Sequence, residues 1–206
     1  MARPLGPAPG HPGADPSVAH ALVAESSTAD LIVTGSQTGA DRALALAVAA
    51  SARCPVVAVP PGGAWRDDLP ALIGVDEHLA VTTALTGFAL AAVLGTGLRA
   101  VRCTGGRPAA GTPGAPAVLG DCARRHPGVP VDARVARSHP VSGLLRHARL
   151  AALLVVGCTP TGERSTSRRL LDRSPIPVVL VGPRVADREP AAGRDDVTSG
   201  DRVPSP

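Results

Sequence analysis

The chain has 206 residues, enough for one domain, or one domain plus a fragment. It carries a net charge of +4, one Phe, one Trp and no Tyr, which leaves little for base stacking or aromatic ligand cages. All 21 basic residues are Arg, so Schiff-base chemistry and a Walker-type phosphate lysine are excluded. The arginines are scattered, many with an Asp or Glu close by, which favours a solvated surface over a nucleic-acid stripe.

Taken in order, residues 1–15 are rich in Pro, Gly and Ala and read as a disordered N-terminus without an apolar core of signal-peptide length. A helix opens at Pro16-Ser17, with Val18, Leu22 and Val23 at helical spacing, and ends near Ser26-Ser27-Thr28. Leu31 to Val33 reads as a short buried strand ending at Gly35. A helix from about Arg42 to Ala52 and a strand from Pro55 to Val59 follow, and Pro60 to Gly63 breaks the chain. Residues 63–68 read as a linker, with Trp65 packed on a neighbour rather than catalytic.

From Leu69 the pattern restarts. Strands are expected at Ala71–Val75, Leu98–Cys103, Val131–Val135, Ala151–Val156 and Val178–Val181. Helices are expected at Leu79–Leu94, Ala117–Arg125 and Val141–Arg149, and in a short piece opened by Arg164-Ser165-Thr166 and ended near Ser174-Pro175. Five strands alternating with helices imply an α/β fold, a Rossmann-like five-stranded parallel sheet with helices on both faces. In such a sheet a ligand sits at the carboxyl ends of the strands, where the strand order reverses, and Asp76 and Gly157 would be neighbours there. Residues 184–206 are polar and Pro-bearing and read as a disordered tail.

A shift of 122 residues overlays Ala19–Pro61 on Val141–Pro183 without a gap, and about a quarter of the positions are identical. Gly35 falls on Gly157, Arg42 on Arg164, and Pro55-Val56-Val57 on Pro177-Val178-Val179. Residues 16–62 therefore read as the second half of a domain of the same type as the complete one at 69–183. That half lacks the three strands that would come before it. It is either a fragment packed on the complete domain or the remainder of a tandem whose start lies further upstream.

Other chemistry is missing from the sequence. There is no G-x-S-x-G, H-E-x-x-H or G-x-x-x-x-G-K-[ST] motif, and no carboxylate pair stands out for acid/base work. The six histidines are dispersed, and His147 with Arg146 and Arg149 reads as a surface cluster. Cys54, Cys103, Cys122 and Cys158 form no C-x-x-C pair, and Cys54 and Cys103 read as small core hydrophobes. An enzyme is not supported. No run approaches the length that crosses a bilayer, and the chain reads as soluble and cytoplasmic.

ADLIVTGS with ARCPVVAV, LIGVD before a long helix, HPGVPV, and LLVVG with SPIPVVLV together resemble the universal stress protein (UspA-like) family. The resemblance spans nearly all of Ala14 to Pro183, the first copy only in its second half. It implies the adenine nucleotide alpha hydrolase-like fold and tandem or dimeric assembly, with self-association or a protein partner. In the family's nucleotide-binding branch an Asp after the first strand approaches the adenosine. A G-x2-G-x9-G-[ST] loop after the fourth strand holds the phosphates. Asp76 and Gly157 match that pattern, Ser165 falls on the terminal hydroxyl, and Thr166 follows it. Gly162 lies close to the second glycine position, which holds Pro160, and Arg164 stands where the last glycine would be.

The loop is also about six residues shorter than the motif, and Gly35 to Arg42 has the same short spacing. A phosphate cradle needs inward-turned backbone N–H groups, and Pro160 has none to offer. Arg164 could replace part of the lost attraction, or it and Arg42 could be solvated helix-start residues. Asp76 could contact a ligand or cap the next helix. The expectation is a stress-response or regulatory binding module whose adenine nucleotide binding is weak or lost. The alternatives are a working ATP or AMP site built on Asp76, Gly157 and Ser165, and a purely structural assembly element.

Overall fold

A computed structural model describes residues 15–62, 66, 68–76, 79–105, 114–158 and 165–187. Helix α1 (Pro16–Glu25) is capped by the Asp15 carboxylate, which accepts from the Ser17 amide at 2.9 Å. Strand β1 is Ile32–Gly35, helix α2 Gly39–Ser51 and strand β2 Val56–Val59. Then come β3 (Ala71–Val75), α3 (Val81–Val93), β4 (Leu98–Cys103), α4 (Gly114–Arg125) and β5 (Val131–Ala136). The order closes with α5 (Pro140–Ala148), β6 (Leu153–Gly157), α6 (Thr166–Leu171) and β7 (Val178–Val181). A 3-10 helix, Pro183–Asp187, follows β7, and its Val185 packs on the core, so the tail does not begin unstructured at residue 184.

The seven strands form one sheet in the order β1-β2-β7-β6-β3-β4-β5. Every neighbouring pair is parallel except β2 and β7, which run antiparallel. The expected doubly wound arrangement is therefore present in β3 to β7, with β1 and β2 continuing the same sheet beyond β7. Helices cover both faces. On one, α2, α5 and α6 bury Leu46, Val48, Leu144 and Leu170 against Leu72, Leu154, Val178 and Leu180. On the other, α3 and α4 bury Phe88, Ala91 and Cys122 against Ile73, Val155 and Val179. Alternate residues of β6 and β7 serve the two faces, which explains their unbroken apolar runs.

The 122-residue shift holds at the level of hydrogen bonds. Ile32 to Gly35 pair with Val56 to Val59 in the register with which Leu154 to Gly157 pair with Val178 to Val181. The Ile32 amide donates to the Pro55 carbonyl at 3.0 Å, and the Leu154 amide to the Pro177 carbonyl at 2.9 Å. Where β2 meets β7, Val57 pairs with Val179, its own counterpart under the shift. The two strand pairs are thus related by a local two-fold axis through that pair.

Two expectations change. Strand β1 is buried on one face only: Ile32 lies in the core, but the strand is at the edge of the sheet, and Val33 on its other face is 62% exposed, with Leu31 just before the strand 40% exposed. Its counterpart β6 is buried because β3 flanks it and α3 lies over it, and β1 has neither neighbour. Helix α2 also begins at Gly39 rather than near Arg42. The Thr38 hydroxyl accepts from the Asp41 amide while the Asp41 carboxylate accepts from the Thr38 amide, a capping box that starts the helix early. The matching residue of the second copy, Pro160, has no side-chain oxygen, and the described helix there begins only at Thr166. Equal spacing therefore conceals different local structure. Trp65 lies outside the described residues.

Candidate functional site

The chain leaves β3 towards β4 and β5 on one side and β6 towards β7 on the other, so the order reverses between β3 and β6. Ala71, Leu72 and Ile73 pair with Leu153, Leu154 and Val155, which places Asp76 and Gly157 at the same end of adjacent strands. Both are exposed at that end. This is the crevice in which a doubly wound sheet holds ligands.

Asp76 is not the N-cap of α3, a position held by Ala80, and four residues separate it from the helix start. Gly157 stands open. Among the described residues, a Cβ placed on it would meet only the Thr83 hydroxyl oxygen, at 3.5 Å. Thr83, buried in the first turn of α3, thus brings a polar side chain to the glycine that the sequence did not announce. Its signal was the pair Thr82-Thr83 at a helix start on a predicted crevice, but an apolar-period reading treats threonine as neutral.

Ser165 is the N-cap of α6, as the sequence suggested. Its hydroxyl oxygen accepts from the Arg168 amide at 3.3 Å and from the Ser167 hydroxyl at 3.4 Å. Thr166 is exposed at the first helical position. Gly162 and Arg164 lie outside the described residues, as does Pro160. Arg42, the counterpart of Arg164, is half-buried and paired rather than freely solvated. Its Nε pairs with the Asp172 carboxylate at 2.9 Å, and its Nη1 donates to the Ser36 and Gln37 carbonyls at 2.9 and 3.2 Å. It fastens α2 to α6. The position matching Asp172 is Ala50, so this bridge has no mate under the two-fold relation.

The crevice holds no activated nucleophile among the described residues. Burial pushes the Cys158 thiol up, and a bond with Ser167 offsets this only in part. Burial likewise raises the Cys103 and Cys122 thiols, so none of the three is a ready thiolate. Away from the crevice, burial and then Arg99, Arg146 and Arg134 hold His147 below its usual range. No group of three or more His, Cys, Asp or Glu among the described residues could hold a metal ion. Among the described residues the crevice presents the exposed Asp76 carboxylate, the open Gly157 and the Thr83 hydroxyl.

No family model matches the chain, and no curated protein matches it in sequence. Solved structures do. A universal stress protein from Archaeoglobus fulgidus matches with a TM-score of 0.62 and 16% identity, over 82% of this chain and 65% of that one. The cytoplasmic domain of a prokaryotic cation chloride cotransporter matches at 0.53 and 14% identity, over 79% of this chain and 68% of that one. A functionally unknown protein from Pseudomonas aeruginosa matches at 0.50 and 15% identity, over 82% and 69%. At these identities the likeness is one of fold. The fold is that of the universal stress proteins, and the chain spans 65% of the length of the first of these neighbours.

Proposed function

We propose that the chain is a universal stress protein-like regulatory binding module, not an enzyme, whose adenine nucleotide site is degenerate. The observation that carries this is the loop after β6: it is about six residues short of the family motif and holds Pro160, which lacks an N–H. Ser165, which caps α6 with its hydroxyl oxygen, keeps its proton to donate, so the loss lies in the loop backbone and not in this side chain. Asp76 and Gly157 keep the place where an adenosine would lie, without the backbone donors that would hold a triphosphate.

Calorimetric titration with ATP and AMP tests the reading. Heat at millimolar ligand or none at all is the expected result. Micromolar affinity that disappears in Asp76→Ala would overturn it and establish the working site on Asp76, Gly157, Ser165 and Arg164 instead.

Residues 69–183 form, in this reading, one complete unit, and residues 16–62 the second half of a preceding one. The matched registers of the two strand pairs support that division. Truncation to residues 63–206 is expected to leave a folded protein; loss of its cooperative unfolding transition would refute the division. No helix among the described residues is long and apolar enough to cross a membrane.

A further inference from the structure

The edge of the sheet at β1 lacks what its two-fold counterpart possesses. Strand β6 pairs with β7 on one side and with β3 on the other. Strand β1 pairs, among the described residues, only with β2. The amides of Ile32 and Ser36 donate to β2, so by the alternation of a parallel strand those of Val33 and Gly35 face the open side. The face is open as well. Val155 is fully buried beneath α3, whereas its counterpart Val33 is 62% exposed, with Leu31 beside it 40% exposed. Val57, on the same face, is only partly buried. Unpaired donors in line with exposed β-branched side chains make an edge that accepts another strand.

We propose that this edge is a docking surface for a strand–helix segment of the β3–α3 kind, supplied by a partner polypeptide. The internal counterpart defines the occupant's chemistry. Its strand is apolar on both sides and runs parallel to β1, as β3 runs to β6. Its helix presents a face of small residues around one aromatic, as Ala84, Gly87, Phe88 and Ala91 do on α3, and covers Val33 and Val57. In sequence, residues 1–14 carry Pro4, Pro7, Pro9 and Pro12 and hold no unbroken apolar run of the β3 kind. The inference rests on reading residues 16–62 as half a unit, and it is independent of nucleotide binding.

The test uses the chain's own unit as the probe. Amide hydrogen exchange is followed for Val33 and Gly35 in the full chain, then in a fusion carrying residues 69–136 in place of residues 1–14. In the full chain both amides exchange fast; in the fusion they slow by about 100-fold. Val33→Lys, which replaces an exposed side chain, restores fast exchange in the fusion without lowering the stability of the unfused chain. Three results would overturn the proposal. Fast exchange that persists in the fusion means the edge does not accept the unit. Slow exchange in the monomeric full chain means its own residues cover β1. Slow exchange that tracks self-association and is lost in Val33→Lys means a second copy is the occupant. Failure of the half-unit reading shows separately, in the truncation to residues 63–206.

Discussion

The strand pairs β1–β2 and β6–β7 are one pattern in two settings. They share the 122-residue shift, the register and the entry and exit hydrogen bonds, yet Val155 is fully buried and Val33 is 62% exposed. The apolar period of a strand therefore specified its pairing but not its burial. Burial came from β3 and α3, which flank one pair and not the other. The helices diverge too: Thr38 and Asp41 start α2 early, while α6 waits for Ser165.

The sharpest way to break the comparison is at Gly182, where the two halves touch. A Cβ there would lie 1.8 Å from the Ala49 carbonyl oxygen of α2, a backbone atom that cannot swing aside. Gly182→Ala is expected to cost about 3 kcal/mol or more in urea unfolding. The matching residue, Pro60, is half-buried and should tolerate Ala within about 1 kcal/mol. An equal, small cost at both sites would show that α2 does not press on the end of β7.

Next comes the matched valine pair. Val155→Ala should cost about 2 kcal/mol by emptying space under α3, and Val33→Ala no more than about 0.5 kcal/mol, again by denaturant unfolding. Similar costs would mean that β1 is covered in solution. Arg42→Ala follows, with an expected loss of about 0.5–1 kcal/mol that shrinks in high salt, because the Arg42–Asp172 bridge is partly exposed. An Ala50→Asp change would sharpen this contrast by restoring the carboxylate that the second copy has.

The smallest effect lies at the far edge, on β4 and β5. Arg134 and then Arg99 hold the Asp132 carboxyl below its usual value. A carboxyl depressed in the folded state stabilises above its unfolded value, and that contribution is lost as pH falls through the depressed one. An NMR titration should show Arg134→Gln raising the Asp132 midpoint more than Arg99→Gln does. The reverse order would place the stronger contact on Arg99.

Much of the crevice could be read before the fold was known. Asp76 and Gly157 were legible because each follows an apolar run long enough for a strand, and alternation with helices forces such ends to one side of the sheet. Ser165 was legible as a cap from its place at the start of a short helical run. Thr83 was not, because its hydroxyl reaches the crevice only through the packing of α3 over β6. Arg42, expected as a solvated helix-start residue, is instead half-buried and paired with Asp172. Its partner Asp172 lies 130 residues away in the chain, and nothing local announces a contact that distant.

By itself the sequence determined the order of elements, the parallel sheet and the repeat, because these follow from local period and turn chemistry. Tertiary structure alone decided that β1 and β2 join the sheet antiparallel through Val57 and Val179, and that β1 is left at an edge. The reason is physical. Period fixes which side chains share a face, whereas burial and charge pairing depend on what stands opposite, and that is set by residues far away along the chain.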